Sequence, residues 1–200
     1  MILVITPEKI VQNETRIING MFCEGLDLLH IRKPMLSREE MENFLLHIDE
    51  RFYPQLVLHG YYDLGKDFSI SRFHFREADR SNGIDRPYRR KYIISTSVHD
   101  IETFNALEQC WEYAFISPVF PSISKKGYGE DSNILQEMSK RTNDHVRLIA
   151  LGGINEKNIC NVFESEADGA ALLGAVWESK QPLDTFKKCR QNILKKKNYT

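Results

Sequence analysis

The chain has 200 residues, 42% of them apolar, and a net charge of −1. That length suits one sizeable core and sits at the short limit for a barrel of eight β/α units, so such a barrel must have short loops. The charge balance excludes bulk binding to nucleic acid or another polyanion, and any anion site must be local. The apolar stretch Met1 to Ile5 meets Pro7, Glu8 and Lys9 and is expected to be too short for a signal peptide or a membrane span; no later run approaches membrane length. Cys23, Cys110, Cys160 and Cys189 are far apart and form no Cys-x-x-Cys pair. They are expected to be reduced, mostly buried thiols of a cytoplasmic protein, without a disulfide or zinc framework.

Short β-rich runs alternate with helical patterns along the chain. Ile2 to Thr6 reads as a first strand, followed by a helix over Glu8 to Cys23 with Ile10, Ile17, Ile18, Met21 and Phe22 as its apolar stripe. Leu28 to Ile31 is a second strand. Ser37 and Glu40 form a capping box for the next helix, whose Met41, Phe44, Leu45 and Ile48 share a face. Leu56 to His59 and Arg72 to Phe75 are the third and fourth strands, with room between them for a short helix near Tyr62 to Phe68. The irregular stretch Ala78 to Lys91 carries Asn82-Gly83 and Arg86-Pro87 turn signals, so the fourth crossover helix is expected to be missing or reduced to a turn.

Tyr92 to Thr96 is a fifth strand, and its helix, Ile101 to Cys110, is capped by Asp100. Tyr113 to Ile116 is a sixth strand. A glycine- and proline-containing loop, Pro121 to Gly129, leads to a helix near Ser132 to Thr142. Val146 to Ala150 with the helix Asn155 to Ser165, and Gly169 to Leu173 with a last helix from Pro182 to about Lys195, complete the pattern. Strands alternating with helices predict a parallel sheet, closed or doubly wound. The lack of Gly-x-Gly-x-x-Gly after the first strand weighs against a dinucleotide fold, and eight strands favour a single-domain (β/α)8 TIM barrel over residues 1–200. The Lys195-Lys196-Lys197 run reads as a solvated helix end.

Active sites of such barrels lie at the C-terminal ends of the strands. There the chain places Arg32 and Lys33, His59 and Gly60, Arg76 and Asp79, Ser97 and His99, the loop from Ser117 to Gly127, Gly152-Gly153, and Leu173-Gly174. Glycines after strands seven and eight let backbone N–H groups face a ligand, so Gly152, Gly153 and Gly174 are expected to hold a phosphate. Ser122, Ser124 and Lys125 are a second anion-binding set on a glycine-flanked loop. Arg32 and Lys33 are a third; strand alternation requires only one of them to point inward. His59 is placed to be an acid, a base or a ligand, whereas His30 reads as a core or barrel-mouth residue and His99 as one that orients a loop.

Taken in order, Leu29-His30-Ile31-Arg32-Lys33, Tyr92 to His99, Ile116 to Lys125, Ile149 to Ile154 and Ala167-Asp168-Gly169-Ala170 resemble the thiamine phosphate synthase superfamily, which also contains the thiazole tautomerases. The resemblance runs from Ile2 to about Trp177. It implies a transferase of thiamine biosynthesis that joins a pyrimidine carried on diphosphate to a thiazole phosphate, releasing diphosphate, with Mg2+. By motif position, Arg32 and Lys33 would meet the diphosphate with Ser97 and Lys125 assisting. Ser122 and Ser124 would lie near the thiazole phosphate, and Gly153 with Leu173-Gly174 would cradle it. Asp79 matches one magnesium carboxylate; the other falls at Gly60, after His59, where the synthases carry Asn-Asp. The acid–base histidine of the tautomerases falls at Pro118, which has no proton to give. Two alternatives stay open at this point: a metal-independent tautomerase-like isomerase, and a non-catalytic binder of thiazole phosphate or thiamine phosphate. The implied partners are small phosphorylated thiamine precursors, with no nucleic acid and no membrane; the oligomeric state, a homo-oligomer included, is open.

Overall fold

A computed structural model describes residues 1–121, 123, 129–130 and 132–197. Eight parallel strands close in sequence order into one barrel: β1 (Ile2–Ile5), β2 (Leu28–Ile31), β3 (Leu56–Leu58), β4 (Arg72–Phe75), β5 (Ile93–Val98), β6 (Trp111–Ile116), β7 (Arg147–Leu151) and β8 (Gly169–Leu172). The expected TIM barrel is therefore present. Closure between the first and last strands runs through the Ile2/Ala170 to Val4/Leu172 register, reinforced by the chain-terminal ammonium on the Asp168 carbonyl, 2.7 Å away.

The crossovers carry α1 (Glu14–Cys23), α2 (Arg38–Leu46), α3 (Leu64–Asp67), α4 (Glu77–Ser81), α5 (Ile101–Asn105), α6 (Ile134–Glu137), α7 (Ile159–Glu164), α8 (Gly174–Trp177) and α9 (Pro182–Lys197). Most are shorter than the sequence pattern predicts. α1 starts at Glu14 rather than Glu8 because Asn13 turns left-handed (φ 59°), and the Glu14 carboxylate folds back to accept the Val11 N–H (3.0 Å). α7 starts at Ile159 because the Asn158 side chain accepts the Asn155 N–H (2.8 Å) and closes a turn ahead of it. The crossover after β4 is reduced, as expected, here to the five-residue α4 followed by turns. The caps are as the sequence predicts: Ser37 accepts the Glu40 N–H while Glu40 accepts the Ser37 N–H, and Asp100 accepts the Thr103 N–H.

Alternation along the strands divides the chain into two cores. Ile31, Leu56, Leu58, Phe73, Phe75, Ile94, Val98, Ala114, Ile116 and Leu148 face outward and are covered by the helices. Leu3, Ile5, Leu28, Val57, Tyr113, Phe115, Ile149 and Ala171 fill the barrel interior. The same alternation turns His30, His74, Ser95 and Ser97 inward, so the upper half of the barrel is packed with polar rings and hydroxyls.

Candidate active site

Three histidines meet inside the mouth. The register pairs His30 with Val57 and Leu58 with Phe73, so His59 lies beside His74 just above the end of β3. His30 Nδ1 is 2.8 Å from His59 Nε2, and the His59 and His74 rings stack with centroids 4.3 Å apart. Below them His30 Nε2 meets the Tyr113 hydroxyl at 2.7 Å. His74 Nδ1 lies 2.9 Å from Ser95 Oγ, and its Nε2 2.9 Å from Ser97 Oγ. Because the Ser95 hydroxyl points toward the Phe73 carbonyl (3.4 Å), it accepts from His74 Nδ1–H, and His74 Nε2 accepts the Ser97 proton.

Burial is the main force on these rings. It pushes His74 down to about 3, and it lowers His30 and His59 well below 6.5, with the neighbouring imidazoles adding to the effect. All three are neutral at physiological pH. Burial also raises the Tyr113 phenol.

Two clefts at the mouth share Arg32, and the first of them is lined by His59. One, of about 170 Å3, is lined by Arg32, Pro34, His59, Gly60, Tyr61 and Arg76 among others. The second, of about 380 Å3, runs from Arg32 past Thr6, Pro7 and Glu8 to Leu173, Gly174 and Trp177. Arg32 is half-exposed and paired with Glu8; its backbone is fixed by Thr6 Oγ1, which accepts the Arg32 N–H at 2.9 Å. Trp177 donates its indole N–H to the Ile5 carbonyl (2.7 Å) and walls the second cleft.

Lys33 takes the outward position of the pair. Its ammonium is buried beneath α1 and α2, 2.7 Å from the Glu14 carboxylate, 3.1 Å from the Lys9 carbonyl and over the Phe44 ring. Asp79 is held by Arg76: the guanidinium donates to both carboxylate oxygens at 3.0 and 3.1 Å, and the Arg76 backbone N–H donates at 3.0 Å. That clasp holds the Asp79 carboxyl below its usual range. Gly60 is open, with nothing within 4 Å of where a Cβ would stand.

Gly152 and Gly153 have φ of 105° and 64° and back directly onto the β6 loop, where Val119 N–H and Phe120 N–H bond the Leu151 and Gly152 carbonyls. A Cβ on Gly153 would stand 2.2 Å from the Pro121 carbonyl oxygen, and one on Gly174 3.1 Å from Ile123 Cβ. Gly174 opens α8 at the edge of the second cleft. Ser122, Ser124 and Lys125 lie outside the described residues. His99 bonds the Ser117 carbonyl at 3.0 Å and so orients the loop after β6.

The structure thus brings Arg32 and His59 together in one cleft, ties Ser97 to the histidine cluster through His74, and sets Leu173 and Gly174 at the adjoining cleft. Lys33 and Asp79 have partners of their own. Sequence reasoning placed Arg76 at the mouth without giving it a role, and passed over His74, Tyr113 and Trp177 as site residues. A count of inward-facing positions two residues apart would have flagged His30, His74 and Tyr113.

Comparison with known proteins agrees with this geometry. The sequence model of the family described as thiamine monophosphate synthase matches residues 2–176. The thiamine-phosphate synthase of Lysinibacillus sphaericus is 27% identical over 158 residues, 76% of this chain and 74% of its own. That of Anoxybacillus flavithermus is 25% identical over 177 residues, 86% of this chain and 76% of its own. Among solved structures, the thiamine phosphate pyrophosphorylase of Bacteroides thetaiotaomicron superposes with a TM-score of 0.79 at 25% identity, covering 96% of each chain. With a family match over most of its length and an eight-stranded parallel barrel, the chain belongs to the thiamine monophosphate synthase family.

Proposed function

We propose that this protein is a thiamine-phosphate synthase, a transferase that condenses hydroxymethylpyrimidine diphosphate with thiazole phosphate and releases diphosphate. The observation that carries the reading is Arg32, shared by two adjoining clefts. The smaller cleft, between Arg32 and Arg76, suits the diphosphate; the larger, ending at Leu173 and Gly174, suits the thiazole phosphate, with Gly153 behind it. In the reaction the pyrimidine C–O bond breaks with its electron pair leaving on diphosphate, and the thiazole nitrogen lone pair forms the new C–N bond. Each guanidinium keeps N–H groups beyond those given to Glu8 or Asp79, and these stabilise the departing anion. Ser97 is oriented by His74 beneath the cleft.

Magnesium, which the family implies, does not fit the donors found here. A hard cation needs oxygen ligands. Gly60 supplies none, Asp79 is clasped by Arg76, and the groups beneath them are imidazoles. Among the described residues, Arg32 and Arg76 supply the positive charge at the mouth. Pro118 at the β6 end leaves the isomerase alternative without its proton donor.

The test is direct. The protein is incubated with both substrates, with and without magnesium, and thiamine phosphate is measured. Product formation is expected. Saturable thiazole phosphate binding without product would replace the synthase by a binder, and aromatisation of a thiazole carboxylate phosphate would restore the isomerase.

A further inference from the structure

We propose that His30, His59 and His74 form a binding site for one divalent transition-metal ion of the zinc or cobalt kind, held by three imidazoles with its remaining position facing the cleft that His59 lines. One ring nitrogen from each histidine lies within 4.8 Å of the other two. A tetrahedral site with metal–nitrogen bonds of about 2.0–2.1 Å requires its nitrogens to be roughly 3.3 Å apart. The His30–His59 pair, at 2.8 Å, must open slightly, and the upper bound of 4.8 Å keeps the remaining separations within reach of that value by side-chain rotation.

The supporting shell suits the purpose. His74 already gives its Nδ1–H to Ser95, which leaves Nε2 with a lone pair that only the Ser97 hydroxyl now occupies. His30 can give Nε2–H to Tyr113, so its Nδ1 accepts the His59 Nε2–H, and a metal would take both lone pairs once His59 moves its proton to Nδ1. Outer hydrogen bonds of this kind fix the tautomer and aim the ligand. The rings are neutral, the form that ligates. Glu8 and Asp79 partly offset the nearby Arg32 and Arg76, with which they pair. Neutral nitrogen donors select borderline metals over magnesium, so the chemistry of the donor set parts from the carboxylate pair that the family implies.

Metal binding is read without turnover, so it stands or falls apart from the synthase reading. Tag-free protein is stripped with chelator, dialysed against zinc or cobalt(II), and analysed for bound metal. One equivalent per chain is expected, with zinc bound at least ~100-fold more tightly than magnesium, and cobalt should give the intense visible bands of a tetrahedral nitrogen site. His59→Gln should lose that equivalent, while His145→Asn, at an exposed position away from the barrel mouth, should keep it. No stoichiometric binding by the unaltered protein, or an octahedral cobalt spectrum, overturns the proposal even if His59→Gln fails to fold. So does an equivalent that survives His59→Gln in folded protein.

Discussion

Arg76 clasps Asp79 through two guanidinium hydrogen bonds and one backbone hydrogen bond, which turns a carboxylate expected to hold metal into a partner of the arginine. The side chain of Arg76 remains largely exposed to the cleft, so the clasp also fixes a cation at the mouth. Arg76→Ala should lower kcat/KM for thiamine phosphate formation by about 100-fold, the scale of losing one preorganised stabiliser of a departing anion, with the melting temperature almost unchanged. Steady-state kinetics at saturating thiazole phosphate check this; a loss below threefold would remove Arg76 from the diphosphate site.

Gly60 is the other half of the same exchange. Its Cβ direction is open, so Gly60→Asp should fold normally and place a carboxylate in the cleft that Arg76, the partner of Asp79, also lines. The variant should gain a magnesium stimulation of product formation that the parent lacks, because two carboxylates and diphosphate oxygens suit a hard cation. Titrating magnesium against both proteins decides it, and parallel curves would show that Gly60 does not set the metal need.

Lys33 and Glu14 form a pair with both side chains essentially inaccessible to solvent. Burial lowers the lysine and raises the glutamate, so desolvation opposes the attraction between them. Breaking such a pair from one side leaves an uncompensated charge, and Lys33→Met should cost about 3–5 kcal/mol of stability. The double variant Lys33→Met/Glu14→Gln should recover most of that loss. Urea unfolding of both variants, with activity per folded molecule, is the check; a loss of kcat without a loss of stability would return Lys33 to the diphosphate site.

Lys33 also shows where the sequence stops being informative. The fold was legible because period-two strands and capped helices recur in order, and Arg72–Phe75 has the predicted bounds. Helix lengths were not, since the left-handed Asn13 and the Asn155–Asn158 turn shorten helices whose apolar stripes run on. Alternation implied that one of Arg32 and Lys33 faces in, but only the closed barrel shows that it is Arg32. The meeting of His30, His59 and His74 depends on inter-strand register, a long-range property that no single stretch of sequence encodes.

Those histidines make stability depend on pH. Their folded values lie below the ordinary 6.5, His74 at about 3. Below about pH 6.5 the unfolded chain binds protons that the native one refuses, so stability is full above 6.5 and falls as pH drops toward the folded values. Each ring contributes a slope of up to about 1.4 kcal/mol per pH unit once its unfolded form is fully protonated. In metal-free protein the urea midpoint should therefore fall clearly between pH 7.5 and 5.5, and less steeply in His59→Gln. Equal midpoints at the two pH values would mean that the rings take up protons in the native state as readily as in the unfolded chain.

Gly153 separates backbone strain from mere proximity to the mouth. Its φ of 64° disfavours any side chain, and an added Cβ would press on the Pro121 carbonyl, a backbone atom that cannot swing aside. Gly153→Ala should cost about 2 kcal/mol or more and should raise KM for thiazole phosphate, because the β6 loop must shift away from Gly174. Gly60→Ala, at the same end of the barrel but in open space, should leave stability within about 0.5 kcal/mol of the parent, since no contact or backbone conformation opposes it. Thermal unfolding of the two variants in parallel tests the contrast. If both are equally stable, the tight approach of Gly153 to the loop is not a constraint on the fold; if Gly153→Ala is destabilised but binds thiazole phosphate as the parent does, the turn serves packing alone.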